Sequence, residues 1–159
     1  MAVNVKIKTN QKQLSAKFKK FGAVLPRVID KGVKQAGFQL VAIIREKTTK
    51  KGVDFNDKRF APYSEGYLKR LQKEGKPTAV DLIYDNVMMG ALTPSMVKKT
   101  GKHKVTLAFA RKEATDRAFF VQVTTEPQRK FFGFNTRTEK IIQRTFNKFV
   151  EKELRKFKI

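Results

Sequence analysis

The sequence predicts an α+β fold. Long helices at the two ends should pack on a small, mainly antiparallel, twisted sheet. Three observations carry this. Apolar residues recur at helical spacing through the first third, as Leu14, Phe18, Phe21 and Leu25 and then Ile29, Val33, Ala36, Leu40, Val41 and Ile44. They do so again at Ile142, Phe146, Phe149, Val150, Leu154 and Phe157. Between these ends, Val105, Leu107 and Phe109 alternate with polar residues, which is the period of a strand.

In chain order, Val3, Val5 and Ile7 alternate with Asn4, Lys6 and Lys8, a half-buried strand pattern. Asn10 with Gln13 makes a capping-box pattern for a first helix. Pro26 suits the first turn of a second helix, which keeps its period to about Thr48. Gly32 and Gly37 each weaken that helix by about 1 kcal/mol relative to Ala, so close approach of another helix is their expected use. Residues 49–59 hold turn chemistry and no period, and are expected to form a flexible arm.

Ser64 stands at an N-cap position ahead of Tyr67, Leu68 and Leu71, and Gly75 with Pro77 ends that short helix. Asp85 or Asn86 can cap a second short helix, Val87 to Leu92, stopped by Pro94. Met96–Lys99 and Lys104–Ala110 flank Thr100–His103 as a hairpin. Residues 111–117 read as a charged turn. Residues 118–123 suit either a strand or a short helix, and we favour helix at Ala118–Val121. Thr136 with Glu139 forms a capping box for the last helix. The whole chain reads as one domain, residues 1–159, with no repeat and no internal boundary.

The charge is extreme. Among 159 residues, 36 are Lys or Arg and 14 are Asp or Glu, a net +22. Such a balance implies a polyanionic or strongly acidic neighbour. The segment Lys6–Lys51 alone carries +11. Lys12, Lys17, Lys19 and Lys20, with Lys50 and Lys51 in the arm, are the candidate contacts to DNA or to an acidic partner.

Several chemistries lack their residues. The sequence has no Cys and a single His, so disulfides and thiolate metal sites are excluded, and assembly in the cytoplasm is expected. His103 reads as a solvated turn residue. Asp54 with Asp57, and Asp81 with Asp85, have the spacing of turn and cap residues and no nuclease signature around them. No phosphate-cradling Gly-rich loop and no Gly-x-Ser-x-Gly is present. No catalytic residue, cofactor or metal is expected, and no membrane partner. Phe131, Phe132 and Phe134 beside Arg129 and Lys130 could stack bases, but an inward-facing structural role suits them better.

Three stretches together resemble a known family. They are Phe60-Ala61-Pro62-Tyr63-Ser64 with Tyr67-Leu68-Lys69, then Asp81-Leu82-Ile83-Tyr84-Asp85-Asn86-Val87-Met88-Met89-Gly90-Ala91-Leu92, then Pro127-Gln128-Arg129-Lys130-Phe131-Phe132-Gly133. Their order is similar to the virion-morphogenesis family of tailed phages, small neck or tail-completion proteins that join head to tail. That family tends to read aromatic-x-Pro-Leu-Ser, later Leu-x-x-Thr-Gly-x-Leu, and later Pro-x-Arg-x-Phe-x-Gly. Tyr63, Ser64, Leu82, Leu92, Pro127, Arg129, Phe131 and Gly133 carry the match, while Asp85-Asn86 replaces the Thr-Gly. The likeness runs over roughly residues 10 to 155.

The resemblance implies a non-enzymatic structural protein of the virion. Its subunits would form a ring, with six the expected number, between the head connector or adaptor and the tail terminator or tube. Six subunits would carry about +132, against roughly 24 phosphates on the duplex threading a subunit about 40 Å across. Lumen DNA cannot neutralise that, so acidic protein neighbours are expected as well. The alternative is a free-standing basic protein that binds nucleic acid without sequence preference.

Overall fold

The computed structural model describes residues 11–83 and 85–156, with the side chains of residues 11–14 left aside. The strand expected at Val3–Ile7 lies outside the described residues. The fold is α+β. Its elements are α1 (Gln11–Glu46), α2 (Glu65–Lys73), α3 (Val87–Gly90), β1 (Val97–Gly101), β2 (Lys104–Leu107), α4 (Lys112–Phe119) and α5 (Thr136–Arg155).

The first two expected helices are one. α1 runs for 36 residues straight through Pro26. Proline removes the hydrogen bond to the carbonyl four residues back, which here belongs to Gly22. Both Gly22 and Pro26 are exposed, so water can take up that carbonyl and the helix continues. A π-helical turn, Lys47–Lys51, then closes on Gly52, which is left-handed at φ 61°.

The arm expected at 49–59 carries its own bonded turn. Asp54 Oδ1 accepts from the backbone N–H groups of Asn56 and Lys58, both at 2.8 Å. Val53 bridges to Arg59, and Phe55 N donates to the Lys130 carbonyl. Lys47 reaches the same turn, donating to the Phe55 carbonyl and pairing with Asp57 at 2.8 Å.

The sheet among the described residues is a two-stranded antiparallel hairpin, with Val97 opposite Leu107 and Lys99 opposite Val105. It lies on α1, where Gly37 allows the approach: a Cβ there would stand 2.7 Å from Val97 Cγ1. Thus Gly37 meets a strand rather than a helix. Asp30 ties the hairpin tip to α1. It accepts from His103 N at 2.9 Å and from Lys99 Nζ, and its Oδ1 lies 3.0 Å from His103 Nδ1. His103 is therefore a half-buried latch in left-handed geometry (φ 55°), not a solvated turn residue.

Of residues 111–117, expected as a turn, 112–117 are helical, and Arg111 is the extended residue ahead of them. α4 takes them to Phe119 and a π-helical turn continues to Thr124, so helix is the outcome at 118–123. The helix start near 136 shifts by one residue. Asn135 is the N-cap, its side chain accepting from Thr138 N at 2.9 Å, because Asn135 is extended where Thr136 is already helical.

The core lies where α1 meets the hairpin, α3 and the 131–132 segment: Val41, Ile44, Phe60, Met88, Met89, Leu92, Met96, Val97, Ala118 and Phe131. α5 packs antiparallel on α1. Gly32 lies under Phe146, 2.9 Å from Cβ position to ring, and near Val150. Along the α5 stripe Ile142, Phe146, Phe149, Val150 and Leu154 are all only half-buried.

Candidate functional site

The residues that carry the family resemblance come from three separate stretches, and most of them converge. Pro62, Tyr63 and Ser64 from one stretch, Leu82, Asp85 and Met88 from the next, and Phe120, Val121, Pro127 and Arg129 from the third line a cleft of ≈ 720 Å³. Local chemistry sets each stretch. Ser64 is extended and caps α2, its Oγ accepting from Tyr67 N at 3.4 Å, which fixes the entry angle of Tyr63. Leu82 takes a left-handed φ of 58°, costly for a branched side chain. Its backbone N–H is thereby brought to the Tyr63 hydroxyl. Burial, with help from Asp81 and Tyr67, pushes that phenol above its ordinary range.

Arg129 clamps the two halves. Nη2 donates to the carbonyls of Ala61 (3.2 Å) and Pro62 (3.3 Å), Nη1 to that of Pro127 (3.4 Å), and the guanidinium sits 5.0 Å over the Tyr63 ring. The planar fork explains why arginine stands here, since a lysine could not bond several carbonyls and stack on a ring at once. At the cleft's far end Arg117 pairs with Asp85 and, at 2.8 Å, with Glu113. Asp85 raises the Arg117 pKa further. Burial opposes ionisation of Asp85, yet the Val87 N–H and Arg117 hold its carboxyl below the usual range.

Three resemblance residues lie elsewhere. Leu92 and Phe131 are in the core, each 1% exposed. Gly133 faces Phe55, where a Cβ would stand 2.9 Å from the ring. Phe131 and Phe132 stack edge-on with centroids 6.1 Å apart, and Phe132 also meets Phe109 at 5.6 Å. Of the three phenylalanines only Phe134 is exposed, so they present no stacking platform.

The four paired aspartates serve turns and ion pairs. Asp54 closes the 54–58 turn, Asp57 pairs with Lys47 and accepts from Asn135, Asp81 accepts from Ile83 N and Asp85 from Val87 N. Among the described residues no three His, Asp or Glu side chains gather as metal ligands would.

The candidate basic contacts do not form one surface. Lys17, Lys19 and Lys20 are exposed near the start of α1, and Lys50 and Lys51 beyond its end, with Lys51 paired to Glu46 at 2.9 Å. Thirty residues of helix put about 45 Å between the two groups. Around the axis, Lys19 points about 200° away from Lys17, so even the first group surrounds the helix. Lys12 lies in the first turn of α1.

A third basic group lies on α5, where Lys and Arg line the helix beside its apolar stripe, and it was not among the expected contacts. Arg137, Lys140, Arg144, Lys148, Lys152 and Arg155 recur at intervals of three or four residues, and all are exposed. Their spacing is readable in the sequence, but a polar face opposite an apolar stripe is what any amphipathic surface helix carries, so the spacing alone does not mark a contact. No family model, curated protein or solved structure matches the chain.

Proposed function

We propose that the chain is a structural subunit of a tailed-phage neck or tail-completion ring, joining the head connector to the tail. The observation that carries the reading is the cleft. Tyr63, Ser64, Leu82, Pro127 and Arg129 are the residues on which the resemblance rests, and they meet although up to 66 positions separate them. The half-covered apolar stripe of α5 adds support, since it suits a subunit whose neighbours complete the cover. In this role the chain binds copies of itself, six being the expected number, with a connector or adaptor on one side and a terminator or tube on the other. It has no catalytic task. Repulsion at +22 per subunit keeps the isolated chain monomeric at low salt, and the ring forms on its partners.

The test is a nonsense mutation of this chain in the phage that encodes it, with complementation in trans. Electron microscopy should show filled heads and separate tails, and mass spectrometry should find the chain in complemented virions. Normal, infectious particles lacking the protein would end the proposal.

A further inference from the structure

We infer that the outer face of α5 is a nucleic-acid-binding ridge that follows a phosphate backbone. At 100° per residue, Arg137, Lys140, Arg144, Lys148, Lys152 and Arg155 fall within an arc of about 120°, and they extend over about 27 Å of helix. Phe146, which packs on α1, lies about 180° round from Arg137, so the ridge turns away from the body. All six side chains are exposed, and none of them is ion-paired among the described residues. Within the arc the one acid of α5 is Glu151, while Glu139 and Glu153 project to other sides; off the helix, Asp57 lies near Arg137 at the first end of the row. Consecutive cations rise by about 4.5 to 6 Å.

A straight row of one sign, with so little to neutralise it, fits a polymer of uniform charge. About 27 Å of duplex offers roughly 16 phosphates, more than enough for six cations. Two other partners fit worse. A helix that lies in a lipid surface exposes an apolar side beside the cations, whereas here Phe146 and Val150 of that side pack on α1 at Gly32, and Ile141 is the one large apolar side chain exposed within the arc. A protein partner is normally anchored by buried aromatic residues, and the arc contains none. The inference does not depend on the neck reading, because the ridge would serve DNA passing through a ring or DNA bound by the free protein.

The experiment compares two variants of the full chain that lose the same charge. One is Arg144→Gln/Lys148→Gln/Lys152→Gln on α5; the other is Lys17→Gln/Lys19→Gln/Lys20→Gln on α1. A fluorescein-labelled 30-base-pair duplex of mixed sequence is titrated by anisotropy between 50 and 200 mM salt, with circular dichroism as the check on folding. Three lost phosphate contacts should lower the slope of log Kobs against log salt by about 2.7, whereas the α1 variant should lose less than about 1. That corresponds to about a 40-fold loss of affinity at the lower salt, relative to the change at the higher one. Equal losses in the two variants would mean that net charge alone drives binding, and would overturn the ridge. Tighter binding of polyglutamate than of the duplex at 150 mM salt, lost in the α5 variant, would overturn the choice of partner. A slope that falls only in the α5 variant, together with normal infectious particles when the whole chain is missing, would keep the ridge and end the neck reading; failed assembly of the chain-less phage with equal slopes in the two variants would do the opposite.

Discussion

Gly37 is the sharpest test of how α1 seats the hairpin. Replacing a mid-helix glycine by alanine ordinarily stabilises by about 1 kcal/mol, because the unfolded chain loses freedom. At Gly37 the new Cβ would stand 2.7 Å from Val97 Cγ1 and 3.4 Å from Val105 Cγ2. Carbon atoms rest at about 3.5 Å, so the hairpin must retreat by about 0.8 Å or Val97 must leave its rotamer. Val97 is buried and β-branched, so neither adjustment is easy. Overpacking of this kind costs about 1–3 kcal/mol. The net expectation for Gly37→Ala is a loss of about 1 kcal/mol, or a fall in Tm of about 2–4 °C.

Gly22→Ala, in the same helix with nothing within 4 Å of the new Cβ, should instead raise stability by about 1 kcal/mol. Urea titrations of the two variants should therefore diverge by about 2 kcal/mol. A double-mutant cycle isolates the cause. In a Val97→Ala background the obstructing methyl groups are gone, and Gly37→Ala should change from unfavourable to favourable. Should Gly37→Ala stabilise as much as Gly22→Ala, the close packing of hairpin on helix described above is wrong.

Asp30 makes a pH prediction. The hydrogen bond from Lys99, with those from His103, lowers its pKa from 3.8 to about 2. A depressed carboxylate contributes stability that is complete above about pH 4 and disappears as the pH falls toward 2. Asp30→Asn should therefore unfold at lower urea than the parent at pH 7, the gap closing as the pH falls through 2, and the gap at pH 7 should be smaller in high salt. Arg129→Lys should destabilise by about 1–3 kcal/mol despite keeping the charge, since three carbonyls lose their donor; an unchanged melting curve would deny the clamp. Phe131→Ala should cost about 3–5 kcal/mol, and Phe146→Ala, only half-buried, clearly less; equal losses would mean that the α5 stripe is core.

The helical ends and the hairpin were legible because their periods are strong and their turn residues conventional. Residues 111–117 were not, because five of the seven are charged and the two alanines that face inward, Ala114 and Ala118, are too small to mark a stripe. Pro26 misled because the carbonyl it leaves without a donor, that of Gly22, stands on an exposed face where water can serve it, which a sequence pattern does not reveal. The cleft was legible only as three separate stretches. That Arg129 bonds the carbonyls of Ala61 and Pro62 depends on geometry 67 to 68 residues distant, which no window of sequence contains. The latch between His103 and Asp30, 73 positions apart, was hidden in the same way.

The pairing of α1 with α5 also sets an order of events during synthesis. The seat of Phe146 on α1, at Gly32, is complete early, yet α5 begins only at Thr136. At about 5–20 residues per second, the 89 residues between the end of α1 and the start of α5 take the ribosome roughly 5–20 s. A nascent chain that forms α1 in that interval leaves the Gly32 seat uncovered. Whatever covers that seat in the meantime must yield to the twenty residues of α5.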